Sequence, residues 1–108
     1  MSIRLEKPWL PLDRDHIDRL LGQLGVYQIV DADDRIVYMG FAGGRSLFGL
    51  RSELQAELEK RGPGFRFRYE VNMQYQTRWR ELLMVYVADH GAPQPENADV
   101  QIGRLSPA

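Results

Sequence analysis

Two tyrosines, two arginines and one isolated glutamate are the side chains best suited to chemistry in this sequence. Tyr27 lies in Gly25-Val26-Tyr27 and Tyr38 in Tyr38-Met39-Gly40. Both segments are rich in β-branched and aromatic residues and read as neighbouring strands. Two rings placed this way either pack against each other, as tyrosines commonly do in sheets, or present two phenols at a cleft, one close to an attacking water. Glu81 is the most informative carboxylate, because no other charged residue lies between Arg80 and Asp89 and its helical neighbours Met84, Val85 and Ala88 are apolar. A carboxylate in such surroundings needs a cation, a metal or several donors. Glu81 is therefore either half of a buried salt bridge, with Arg51 or Arg45, or a single carboxylate holding a divalent cation. Arginine suits a transition-state phosphate, since its planar fork bonds two oxygens and stays charged. Arg51 and Arg45 both lie after the second tyrosine segment, where either can serve a phosphate or make a surface ion pair, the commoner fate of a helical arginine.

The elements that must position these groups follow from periodicity. An arm ending in Pro8 and Pro11 precedes Asp13, a helix cap, behind which Ile17, Leu20, Leu21 and Leu24 recur at the spacing of one buried helix face before Gly22 and Gly25 break it. Val26–Val30 and Ile36–Met39 form a β-hairpin through the acidic turn 31–34. Ser46 caps a second helix whose stripe is Leu47, Leu50, Leu54 and Leu58, stopped by Gly62-Pro63-Gly64. Phe65, Phe67, Tyr69 and Val71 alternate with polar residues in a third strand. Thr77 caps a last helix with Trp79, Leu82, Leu83, Tyr86 and Val87 on one side and Gly91 as its C′ residue, followed by a loop with a short ordered piece around 98–102. The order α-β-β-α-β-α predicts an α+β fold, a three-stranded, mainly antiparallel sheet flanked by helices.

The two tyrosine segments, followed by a helix with Arg51, a strand, a helix with Glu81 and then Asn97, resemble the GIY-YIG endonuclease family over roughly residues 24–97. The resemblance implies one domain, with residues 1–23 as an N-terminal arm and helix and residues 98–108 as a tail. It implies a metal-dependent phosphodiesterase acting on nucleic acid, DNA more than RNA. Tyr38 would be the general base with Tyr27 beside it, Arg51 would stabilise the phosphate, and Glu81 would hold Mg²⁺ or Mn²⁺. Gly40, Arg45 and Asn97 would meet the substrate. The base role requires a phenol pKa strongly lowered by a cation or metal. Two positions depart from the family pattern: Phe41 stands where a lysine is common, and Leu54 and Gln55 stand where a histidine or tyrosine is common. Loss of a positioning group costs about a hundredfold in rate. The alternative expectation is thus a catalytically degenerate domain that binds nucleic acid or a protein partner, or pairs with a second copy.

Bulk properties limit the rest. The 108 residues, 44% hydrophobic and 27% charged, fit one soluble globular domain, and the absence of cysteine excludes disulfides and thiolate metal sites. Net charge is −1, unevenly spread: residues 1–44 sum to −2, residues 45–80 to +4 and residues 81–108 to −3, so the central third can present a basic face. No apolar leader opens the sequence, and its longest uncharged apolar run, Leu82 to Ala88, is too short for a bilayer. A cytoplasmic protein is expected.

Overall fold

The alternation of apolar residues produces a sheet with two buried faces. The computed structural model describes residues 4–44 and 46–97. Its strands are β1 (Leu10–Pro11), β2 (Gly25–Val30), β3 (Ile36–Ala42) and β4 (Arg66–Val71), and its helices are α1 (Arg14–Asp18), α2 (Gly49–Arg61) and α3 (Tyr75–His90), followed by a 3-10 turn at Pro95–Asn97. The sheet order is β1-β4-β2-β3, and every pairing is antiparallel. One face carries Tyr27, Ile29, Ala42 and Phe67 against Ile17, Leu50 and Leu54 of α1 and α2. The other carries Val26 and Met39 against Leu82 and Leu83 of α3 and Leu5 of the arm. Helices on both faces explain why β2 is buried at every position.

The α+β architecture is the expected one, with a fourth strand added. Leu10 and Pro11 pair with Phe67 and Arg66. A proline is tolerated there because β1 is an edge strand and one of its sides needs no N–H. The first helix is shorter than its leucine spacing predicts. Asp13 caps it as expected, its carboxylate accepting from the His16 N–H at 2.9 Å. The helix ends by Arg19, however, so that Ile17 and Leu20 are buried while Leu21 is 69% exposed. Helix α2 starts at Gly49 rather than behind Ser46, and the hydroxyl that satisfies its entry belongs to Ser52, which accepts from the Phe48 N–H at 2.9 Å. Leu47 consequently lies outside the helix and in solvent. Helix α3 likewise starts before Thr77, with Asn72 accepting from the Gln74 N–H. Gly91 closes it in the left-handed conformation, φ 81°, as its position predicts. Arg45 and the segment around 98–102 lie outside the described residues.

β3 is the outer edge of the sheet, and the free backbone groups of its Met39 are met by a side chain. Asn97 Oδ1 accepts from the Met39 N–H at 2.8 Å, and Asn97 Nδ2 donates to the Met39 carbonyl at 3.2 Å. The carboxamide thus supplies the donor and acceptor that another strand's peptide would supply. The Trp79 indole N–H donates to the same carbonyl at 2.9 Å. Asn97→Ala would leave the buried Met39 N–H unpaired. It is expected to lower unfolding free energy by about 1–3 kcal/mol in urea titrations, and a variant as stable as the parent would contradict this account of the edge.

Candidate functional site

β2 places Tyr27 directly opposite Gly40, and Ile29 opposite Tyr38. Tyr38, in regular register with Ile29, lies on the α2 side, and Val37 is the extra residue of a bulge between Ile29 and Val30 that sends Ile36 to the α3 side. Gly40 has a steric reason. A Cβ there would lie 2.4 Å from both Cζ and the hydroxyl of Tyr27, so the buried ring lies across the glycine. The two tyrosine rings are 6.1 Å apart between centroids and tilted by 48°.

A buried chain of charge continues from Tyr27. Its hydroxyl donates to Glu57 Oε2 at 3.0 Å. The other oxygen of Glu57 accepts from Arg61 Nε at 2.8 Å. Arg61 grips Glu96 with two further bonds, at 2.7 and 2.5 Å, and its guanidinium lies 5.6 Å from the Tyr38 ring centroid and 5.4 Å from that of Phe65. Burial raises both phenol pKa values, and the Glu57 carboxylate raises them further. Arg61 opposes this at Tyr38 but ranks below burial and Glu57. The protein's own groups therefore keep Tyr38 protonated, the reverse of what a tyrosinate base needs.

Tyr38 opens onto a cleft of about 540 Å³ beyond the edge of β3, lined among others by Phe41, Glu53, Tyr75, Gln76 and Trp79. Phe41 stacks on Tyr75, centroids 5.5 Å apart, and meets Trp79 edge-on at 5.1 Å. The wall is thus aromatic and fixed, because the Trp79 indole is tied to β3. Glu53, one turn before Glu57 on α2, brings a carboxylate with no ion pair among the described residues.

The predicted site residues divide into those that meet here and those that do not. Tyr27, Tyr38 and Gly40 come together. Arg51 turns toward α1, 3.8 Å from Asp18 with its side chain 42% exposed. Glu81 pairs with Arg78, which also holds Glu70, and its side chain is 44% exposed, so neither an apolar surround nor a pairing with Arg51 describes it. The cleft is lined by Glu53 of α2 and by Tyr75, Gln76 and Trp79 of α3, and of these Glu53 and Trp79 are nearest in sequence to the two charged candidates. Arg51 and Glu81 each stand two positions away, roughly 200° around a helix of 3.6 residues per turn. Asn97 spends its amide on Met39. Glu57, Arg61 and Glu53 were not singled out by sequence, although the Glu57–Arg61 spacing of i, i+4 is an ion-pair signal.

Residues 3–89 match a family model described as Domain of unknown function (DUF7508). The chain belongs to that family. No curated protein and no solved structure matches it.

In this DUF7508 domain Glu81 is engaged by Arg78, an arginine that Glu70 shares. Among the described residues no group of three or more His, Asp or Glu side chains converges. The raised tyrosines have a thermodynamic consequence. A folded-state phenol pKa above the unfolded value of about 10 makes the native state bind more protons than the unfolded one in alkali. The stabilising contribution is complete below about pH 10 and is lost as pH rises toward the folded values. Unfolding free energy is expected to fall with pH above that point, and the fall should flatten in the Tyr27→Phe/Tyr38→Phe variant. An equal slope in the variant, read from urea midpoints across the alkaline range, would show that other groups carry it.

Proposed function

We propose that this is a GIY-YIG-like domain that binds rather than cleaves, and that its cleft receives a basic segment of a partner protein. The observation that carries the reading is the sign of charge at Tyr38. Burial first, then the charges of Glu57 and Glu53, hold its phenol in the neutral form, and Glu53 is the charge that α2 turns toward the cleft. The same field repels a phosphate and attracts a cation, which an aromatic wall of Phe41, Tyr75 and Trp79 also favours through its ring faces.

The basic face expected of the central third gives little support to nucleic acid. Arg51, Lys60, Arg61, Arg66 and Arg78 are all in ion pairs, leaving Arg68 and Arg80 as the described cations of that third without one. Backbone binding to DNA needs several uncommitted cations on one surface.

A lysine- or arginine-bearing peptide is expected to shift the indole N–H resonance of Trp79 in a saturable way, whereas its glutamate counterpart should not. Glu53→Gln should weaken binding by about tenfold, the loss of one charge-assisted contact of roughly 1.5 kcal/mol. No shift with any basic peptide, or equal shifts with both charge types, would refute the reading. The second reading, hydrolysis, is favoured by the meeting of Tyr27, Tyr38 and Gly40 on one side of β3. Its mark would be nicking of plasmid, single-stranded or branched DNA with Mg²⁺ or Mn²⁺ that disappears in Tyr38→Phe. We expect none.

A further inference from the structure

On the α3 face of the sheet β2 carries one polar residue, Gln28, between Val26 and Val30. Gln28 of β2 lies opposite Arg68 of β4 on one side and Met39 of β3 on the other. Trp9, just before β1, extends the row, with the Arg68 guanidinium stacked 4.1 Å over its ring. Arg68 Nε donates to Gln28 Oε1 at 2.6 Å, and Nη1 reaches the Lys7 carbonyl at 3.4 Å. That bond fixes which end of the Gln28 amide is which, so its Nε2 must point at Met39, where the acceptor is the thioether sulfur at 3.6 Å. Gln28 is 2% exposed. A strong donor is thus buried in the middle of the central strand against a weak acceptor.

The guanidinium beside it lacks its usual counterpart too. Arg68 makes no ion pair among the described residues, and burial lowers its pKa despite the nearby charge of Glu6. It is nevertheless held rigidly, by stacking and by Gln28. Both residues line a separate cavity of about 220 Å³ between the arm and α3, whose walls include Leu5, Ile36, Met39 and Leu82. Arg4, Asp89, Glu6 and His90 stand around it, and Arg4 and Asp89 neutralise each other through two hydrogen bonds. Two preorganised donors, one of them cationic, therefore meet apolar walls in a space that the nuclease-like cleft does not include.

We propose that this cavity binds a small organic acid, its carboxylate between Arg68 and Gln28 and its hydrocarbon body against Leu5, Ile36 and Leu82. A guanidinium fork and an amide N–H are the donors a carboxylate takes in pairs, and the walls favour a carbon chain over a bare inorganic anion. The volume matches roughly seven waters at on the order of 30 Å³ each, hence an acid of about that many heavy atoms. The site is independent of the peptide cleft.

Hexanoate is the probe, titrated into the whole protein by calorimetry beside hexanol and inorganic phosphate. Saturable binding of hexanoate with Kd on the order of 1 mM or tighter is expected, and at least about tenfold weaker binding of the other two. Arg68→Gln should remove it. Because that change also disturbs the Trp9 stack, two further variants keep the outcome decisive. Val85→Trp, at the cavity wall, should block hexanoate in a protein with unchanged circular dichroism, and Glu6→Gln should tighten binding by removing the competing carboxylate. Absence of hexanoate binding, equal binding of hexanol, or binding that survives Val85→Trp would each overturn the proposal.

Discussion

A single buried guanidinium, shared by two carboxylates, ties this molecule together. Arg61 is the last residue of α2, yet its side chain is almost wholly enclosed between Glu57 of the same helix and Glu96 of the C-terminal turn. Through Glu57 it reaches the Tyr27 hydroxyl in the central strand, and through Glu96 it draws Pro95–Asn97 against β3, where Asn97 completes the hydrogen bonding of the sheet edge. Buried ion pairs add little net stability compared with apolar residues of the same shape, but removing one partner typically costs about 3–5 kcal/mol because a charge is then stranded. The network is therefore better understood as a specifier of arrangement. It requires Tyr27 to face α2, hence Gly40 to lie beneath its ring, and hence the hairpin to hold one register.

The same network sets the electrostatics of the cleft. Arg61 serves two carboxylates there, Lys60 reaches only the outer one, Glu96, at 3.9 Å, and a further carboxylate, Glu53, sits one helical turn from Glu57. Burial of Tyr38, together with this surplus of negative charge beside it, outweighs the lowering effect of Arg61 close to the ring. A tyrosine pair for which the family resemblance implies base catalysis is thus embedded in surroundings that keep its phenols protonated.

How much of this was legible in the sequence depended on whether local pattern or tertiary geometry decided the outcome. The hairpin, the alternating strand β4, the Asp13 cap and the Gly91 terminus are local, and each can be read from neighbouring residues. The extent of α1 is not local. Leu21 and Leu24 match a helix face, but Gly22 passes so near the Phe48 carbonyl that a Cβ would stand 3.0 Å from it, and the chain leaves the helix to make that approach. β1 exists only because β4 offers an edge to an arm that has no strand pattern of its own. The site failed in a specific way. Arg51 and Glu81 drew attention as charges, yet the apolar stripe already fixed which face of each helix turns inward. The positions on the cleft side, Glu53 and Trp79, follow from phase rather than from chemical character. The burial of Glu57 and Gln28 had no local signal at all, because it depends on what the opposite strand and helix contribute.

The two candidate sites, one beyond the β3 edge and one on the α3 face, are each supplied by a different side of β2, and this follows from strand alternation. Successive residues of β2 point to opposite sides. Tyr27 therefore delivers its hydroxyl to the carboxylates under α2, while Gln28 delivers its amide to the arginine under the arm and α3. A phenol bonded to a carboxylate and a carboxamide bonded to a guanidinium leave complementary needs at the two surfaces. The first leaves negative charge in excess at an aromatic cleft, and the second leaves donors in excess at an apolar cavity. Since the central strand is rigidly paired on both sides, neither surface can relieve its imbalance by turning its side chain over, because a one-residue slip of β2 would exchange the two faces and break both networks together. The two ligands proposed above, a cation at Glu53 and an anion at Arg68, are of the sign that each imbalance favours.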